Sequence, residues 1–300
     1  MTTISRDSEA AQTAASAARA ARVAAVSLVS IFSRSGSAWD GSGAITRAHL
    51  RHAIEKRQFA VHYQPVMSAD SGSLVGLEAL LRWQFGAQTV APASFLPVAE
   101  ESGLIIPIGE LAIRQACSFA ASLHHSRYGE VQVSVNLSRV QLADARLATL
   151  VQQALDDAAL PPTLLAVEVA ERDVRADLPS AAAAFERLRR MRVETLLDDF
   201  GQSNDSVTVL DALPLDGVKV NLEAAAASAQ ARATLLASVE AASTRGLRIT
   251  AKHVGTPGEV DLLRRLNVEF VQGYIYGPAF PDQALGAPGA SESGHEQSAA

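Results

Sequence analysis

Leu196-Leu197-Asp198-Asp199-Phe200-Gly201 is an apolar run that ends in two adjacent carboxylates. A buried, unpaired carboxylate is costly, and two side by side repel each other. The pair therefore belongs where something positive or wet can meet it: a divalent cation, an Arg or Lys partner, or solvent at a strand end. Outward from this stretch, short strand-like runs alternate with helical ones. The runs are Phe59 to Val66, Leu74 to Trp83, Val131 to Leu137, Leu164 to Ala170, Glu194 to Asp198, Gly217 to Asn221, Leu247 to Ala251 and Val268 to Gln272. Helices are predicted over Gly109 to Leu123, Leu147 to Ala158, Leu178 to Arg190, Leu222 to Arg245 and Pro257 to Leu266. Eight strands, mostly separated by helices, predict a closed α/β barrel rather than an open sheet. Only the first two strands lack a helix between them; Ser68-Ala-Asp-Ser-Gly72 reads as a hairpin turn, so the first strand is expected to run antiparallel.

Composition agrees with one large core: 300 residues, 48% of them hydrophobic. A net charge of -6 excludes the broad basic surface that duplex nucleic acid needs, so any phosphate must be met locally. The single cysteine, Cys117, lies in an apolar helical face; it excludes an intramolecular disulfide, predicts inert core packing and suits a reducing, cytoplasmic setting. Residues 1–44 read as an Ala/Ser-rich extension and linker, 45–281 as the barrel domain and 282–300 as a disordered tail. The apolar run Val23 to Phe32 is too short to span a bilayer, so no transmembrane segment is expected.

In such barrels the C-terminal strand ends converge on one mouth. Here they carry Glu78, Asn136, Glu168, Asp198 with Asp199, Lys219, Lys252 and Gln272. Carboxylates and an amide oxygen, with no thiolate, suit Mg2+ or Mn2+ rather than Zn2+. Each residue alone could cap a turn or bond backbone; five oxygen donors at successive strand ends make a site.

Gly76-Leu-Glu78-Ala-Leu80-Leu-Arg82-Trp83 resembles the signature of the EAL domain, the bacterial family of cyclic di-GMP phosphodiesterases. The resemblance runs from about Ile45 to Phe280, through Tyr63-Gln-Pro65, Pro92 to Gly103, Val135-Asn-Leu-Ser138, Val167-Glu-Val-Ala-Glu171, Asp198-Asp-Phe-Gly201, Val218-Lys219 and Val271-Gln-Gly273. It implies a modified TIM (β/α)8 barrel that binds cyclic di-GMP and divalent metal at its mouth. By resemblance, Glu78, Asn136, Glu168 and Asp198 are metal ligands, and Asp199 belongs to a second ion. Gln64, Glu78, Leu80, Arg82 and Gln272 stand on the ligand side, Arg82 as the phosphate contact. Lys219 matches the lysine that holds the attacking water, and Glu171 the glutamate that orders the loop after Asp199.

The chain departs from the pattern in one cluster. Ala251-Lys-His-Val-Gly-Thr256 stands where the family has Ala-Glu-Gly-Val-Glu-Thr, so Lys252 and Gly255 replace glutamates, the first of them a second-metal ligand and general-base candidate. Asn221 replaces an aspartate, and Gln202-Ser-Asn-Asp-Ser206 replaces Thr-Gly-Tyr-Ser-Ser. An ammonium and a divalent ion cannot comfortably share one place. Lys252 is expected to pair with Asp199, to swing out, or to stand in for the second cation against phosphate, which leaves one Mg2+ or Mn2+ site. His253 should point to the helix layer by strand alternation. The expectation is a cyclic di-GMP phosphodiesterase of impaired activity; the alternatives are an inactive cyclic di-GMP receptor or a protein-interaction module. A homodimer and a protein partner are both compatible with the sequence.

Overall fold

A computed structural model describes residues 44–285, except 87, 127, 204, 205 and 227. The expected N-terminal extension and most of the expected tail lie outside the described residues. Helix α1 (Arg47–Glu55) is capped by Thr46, whose side chain accepts from the His49 amide. Strands β1 (Phe59–Ser68) and β2 (Leu74–Phe85) form an antiparallel hairpin, and β3 (Gln88–Val90) folds back on β2. Helices α2 (Pro92–Glu101) and α3 (Ile105–His124) lead into a βα series. It comprises β4 (Gln132–Asn136) with α4 (Arg139–Leu142) and α5 (Leu147–Ala158), then β5 (Leu165–Ala170) with α6 (Glu171–Ala176) and α7 (Leu178–Arg190). Next come β6 (Glu194–Asp198) with α8 (Ser206–Ala212), and β7 (Gly217–Asn221) with α9 (Leu222–Ala226) and α10 (Ala229–Ser243). The series ends with β8 (Arg248–Lys252), α11 (Pro257–Arg265), β9 (Phe270–Gln272) and β10 (Phe280–Pro281).

Strands β2 and β4 to β9 pair in parallel, and β1 closes the ring antiparallel to both β2 and β9. The eight-strand barrel with a reversed first strand is therefore as the sequence predicts. Period-two alternation divides each strand between two surroundings. Tyr63, Val133, Val135, Val167, Val169, Leu197, Val218, Val220, Ile249 and Val271 belong to the buried core shared with the helices. The alternate residues point into the barrel. A smaller core of Leu50, Phe59, Trp83, Phe95 and Ile108 ties α1, α2 and α3 to the hairpin, with the Trp83 and Phe95 rings edge-on at 5.9 Å.

Two expectations need correction. The helix predicted over Leu222 to Arg245 is two helices, because Ser228 turns its side chain to the Ala231 amide and so starts α10 afresh. Order also continues past the expected boundary: β10 pairs with His62 and Tyr63, Asp282–Ala284 forms a 3-10 turn, and Leu285 is buried. Leu285 joins the main core, and that burial holds the turn.

Candidate active site at the barrel mouth

The inward positions carry Gln64 of β1, Glu78 of β2, Asn136 of β4, Glu168 of β5, Asp198 of β6, Lys219 of β7, Lys252 of β8 and Gln272 of β9. Lys219 is the centre of the deeper part. The residue is 1% exposed, and its ammonium donates to Glu78 Oε2 at 2.6 Å and to both Glu168 oxygens at 2.9 and 2.8 Å. Asn136 Nδ2 donates to Glu78 Oε1 at 2.8 Å, and Gln272 Nε2 donates to Glu78 Oε2 at 2.8 Å and to Gln64 Oε1 at 3.0 Å. Burial works to raise the Glu78 carboxyl, but Lys219 and these hydrogen bonds hold it below the usual range. Glu168 goes the other way: burial, then the neighbouring Glu78 charge, push it up despite Lys219. Lys219 itself is held up; burial opposes its charge, but Glu168 and Glu78 outweigh it. Lys219 and Glu168 also border a cavity of about 340 Å³ reaching the N-terminal strand ends, where Gln132, Glu194, Arg248 and Phe270 line it.

The shallower part is built on the aspartate pair. Lys252 Nζ lies 2.6 Å from Asp198 Oδ1 and 2.8 Å from Asp199 Oδ1. Asp199 takes a left-handed backbone, φ 52°, and its amide donates back to Asp198 Oδ1 at 2.8 Å. The loop that follows is fastened by Glu171, buried at the start of α6. Its carboxylate accepts from Gly201 N at 3.0 Å, from Ser206 Oγ at 2.7 and 2.8 Å, and from Ser203 Oγ. Ser206 thus serves the loop at a position shared with the family's pattern, and Ser203 at one that departs from it.

The set of four oxygen donors expected around one ion is divided between the two ammonium groups. Glu78 and Glu168 take Lys219, with Asn136 donating to Glu78, whereas Asp198 turns to Lys252. Among the described residues no three His, Cys, Asp or Glu side chains stand together as a ready metal cage. The chemistry of the donors nevertheless fits one hard cation. Glu78, Glu168 and Asp198 are three buried carboxylates, and Gln272 Oε1 is buried with no hydrogen-bond partner. The position between Asp198 and Asp199 does not fit one, because Lys252 already fills it.

Arg82 lies two residues past Leu80 on the inward face, half-buried, with one guanidinium N–H on the Leu81 carbonyl at 2.8 Å. Burial lowers its pKa, while Glu78 and Tyr274 counter that. His62, opposite Leu80 in the hairpin, is buried and held down to about 4 by burial and then by Arg82. Tyr274 is 76% exposed at the rim. Neither residue is among the site residues expected from the sequence, although His62 alternates away from Tyr63 and shares the inward parity of Gln64. His253 lies just past β8 in a left-handed backbone, φ 63°, so strand alternation does not set its direction; it is exposed, with Nδ1 3.8 Å from Glu223. Cys117 is buried, and burial pushes its thiol up to about 12, as an inert core residue should be.

Comparison with known proteins matches this geometry. The EAL domain family model covers residues 47–279. The chain is 34% identical over 240 residues to the bifunctional diguanylate cyclase/cyclic di-GMP phosphodiesterase MucR of Pseudomonas aeruginosa, covering 79% of this chain and 35% of that one. It is 31% identical over 235 residues to the probable cyclic di-GMP phosphodiesterase PdeB of Escherichia coli, covering 78% of this chain and 45% of PdeB. The chain thus spans less than half the length of either relative. Among solved structures, the PaMucR phosphodiesterase in complex with c-di-GMP superposes with a TM-score of 0.75 at 34% identity, over 79% of this chain and 98% of that one. Among the described residues no helix is long and apolar enough to cross a membrane. Ring topology, inward polar layer and relatives agree: the chain belongs to the EAL domain family.

Proposed function

We propose that the barrel binds cyclic di-GMP across its mouth and hydrolyses it to the linear dinucleotide, slowly. The observation that carries this reading is the single hydrogen-bonded layer of Gln64, Glu78, Asn136, Glu168, Lys219 and Gln272, with Arg82 beside it on the same inward face. Likeness to a solved cyclic di-GMP complex over nearly all of that chain supports it. Arg82 presents a planar fork to phosphate oxygens, and Leu80 gives the ligand an apolar contact. Gln64 and Gln272 orient each other and, through Glu78, the charged layer. Glu78, Asn136, Glu168 and Asp198 would hold one Mg2+ or Mn2+, which when bound lowers the pKa of water and offsets charge on phosphate. Lys219, released from one carboxylate, can donate to the incoming water. Glu171 keeps Asp199 in place through the loop.

Turnover is low in this reading because Lys252 occupies the place of the family's glutamate. A positioned base is ordinarily worth about 100-fold to 10,000-fold. The same ion pair favours a second reading, a receptor that binds cyclic di-GMP without cleaving it. Hydrolysis with Mg2+ or Mn2+, followed by chromatography of the linear product, separates the two. Arg82→Ala should weaken ligand binding about tenfold or more in calorimetry, the loss of a charge-assisted hydrogen bond or two. Lys252→Glu with Gly255→Glu should raise turnover; a Cβ at Gly255 would meet Glu259 Oε2 at 3.7 Å, an ordinary contact. Absence of binding by the wild type at roughly tens of micromolar would overturn both readings.

A further inference from the structure

Adjacent aspartates at a strand end need a cation, and this chain supplies its own. Lys252 is the last residue of β8, opposite Asn221 of β7 in the ladder. Its side chain is 13% exposed and lies across the barrel mouth, with one oxygen of each aspartate within 2.8 Å of its nitrogen. The left-handed turn at Asp199 lets both consecutive carboxylates meet that one nitrogen. Burial works against the charge of the lysine, but Asp198 and the hydrogen bonds to both aspartates outweigh it and raise its pKa.

Among the described residues, the carboxylate nearest in sequence to the end of β8, Glu259, is not free to reconstruct an ion site here. Glu259 accepts from the Gly255 and Thr256 amides at 2.8 and 2.9 Å and completes the capping box of α11, so it is committed to the helix. Glu223 is exposed and beside His253. Divalent ions bind oxygen donors at about 2.0–2.6 Å, and the ammonium stands in that space against both of them.

We propose that Lys252 is a tethered cation that closes the position between Asp198 and Asp199 to a second divalent ion and presents positive charge to a ligand phosphate in that ion's place. The closure rests on the geometry alone; the phosphate contact rests on the cyclic di-GMP reading above. A lysine supplies charge as a point and cannot ionise water as a metal does, so it secures binding rather than cleavage.

The test counts ions and measures affinity in the full chain. Manganese titration followed by electron paramagnetic resonance gives the number of Mn2+ bound by wild type, Lys252→Glu and Lys252→Met. The glutamate variant should bind one ion more than wild type; equal numbers overturn the closure. Calorimetry with cyclic di-GMP in excess EDTA should show the methionine variant binding about tenfold weaker than wild type or worse. Equal affinities there overturn the phosphate role. If wild type binds no cyclic di-GMP under any condition, the ligand reading falls together with the phosphate role, while the ion count still decides the closure. Circular dichroism melts confirm that each variant is folded, and the methionine variant also reports if the glutamate variant fails to fold.

Discussion

Glu78 and Glu168 share Lys219; Asp198 and Asp199 share Lys252. The two arrangements have the same composition, two carboxylates and one ammonium, and differ in depth. Lys219 leaves the middle of β7 and its side chain is 2% exposed, with partners at 9% and 1%. Lys252 leaves the end of β8, beside an Asp199 whose side chain is 31% exposed. At the inner pair the protein alone must solvate every charge, so the ammonium is part of what holds the barrel together. At the outer pair Asp198 is still enclosed but Asp199 is open to water, so solvent can replace part of a lost partner.

The comparison breaks first at Lys219. Lys219→Met leaves two enclosed carboxylates without a cation and should cost about 3–5 kcal/mol in chemical denaturation, nearly independent of salt. A loss below about 1 kcal/mol would show that the depth of the inner pair does not matter. Ser206→Ala comes next. It removes a buried donor from Glu171 and should cost about 1–3 kcal/mol, with faster amide hydrogen exchange at Gly201 and Ser203. Lys252→Met should cost less than Lys219→Met, and the share carried by the open Asp199 should shrink as salt screens it.

A separate test is one of pH. His62 titrates near 4 when folded and at its ordinary 6.5 when unfolded. The unfolded chain therefore takes up the proton first as pH falls, and stability present above 6.5 is lost progressively down to about 4. His62→Gln should flatten the denaturation profile over that window relative to wild type. Parallel profiles would show that His62 is as well hydrated as in the unfolded chain.

The barrel was legible because the strands alternate cleanly and most are divided by helices with apolar faces. The reversed first strand showed in the Ser68 to Gly72 turn. The break between α9 and α10 was not legible, since Ala-Ser-Ala-Gln favours helix continuation until Ser228 is seen to cap. At the site, the residues were legible as a ring but their pairing was not. Glu78, Asn136, Glu168 and Asp198 read as one cage; which carboxylate each lysine takes depends on rise and tilt of strands that no residue pattern encodes. Lys252 read as an open choice among three postures, and the choice follows from the backbone turn at Asp199.

The antiparallel β1 has a consequence for timing. It joins β9 through Val66 and Gln272, and the Gln272 side chain reaches Gln64 across 208 positions of sequence. Lys219 reaches Glu78 across 141. Contacts of such span form late, because loop closure must be met before they reward the chain. A chain emerging from synthesis would fold its βα units in turn, yet it would present no finished mouth until β9 seated against β1. The binding competence of this barrel is thus a property of its last seam, and whatever speeds or delays that closure sets when the protein begins to work.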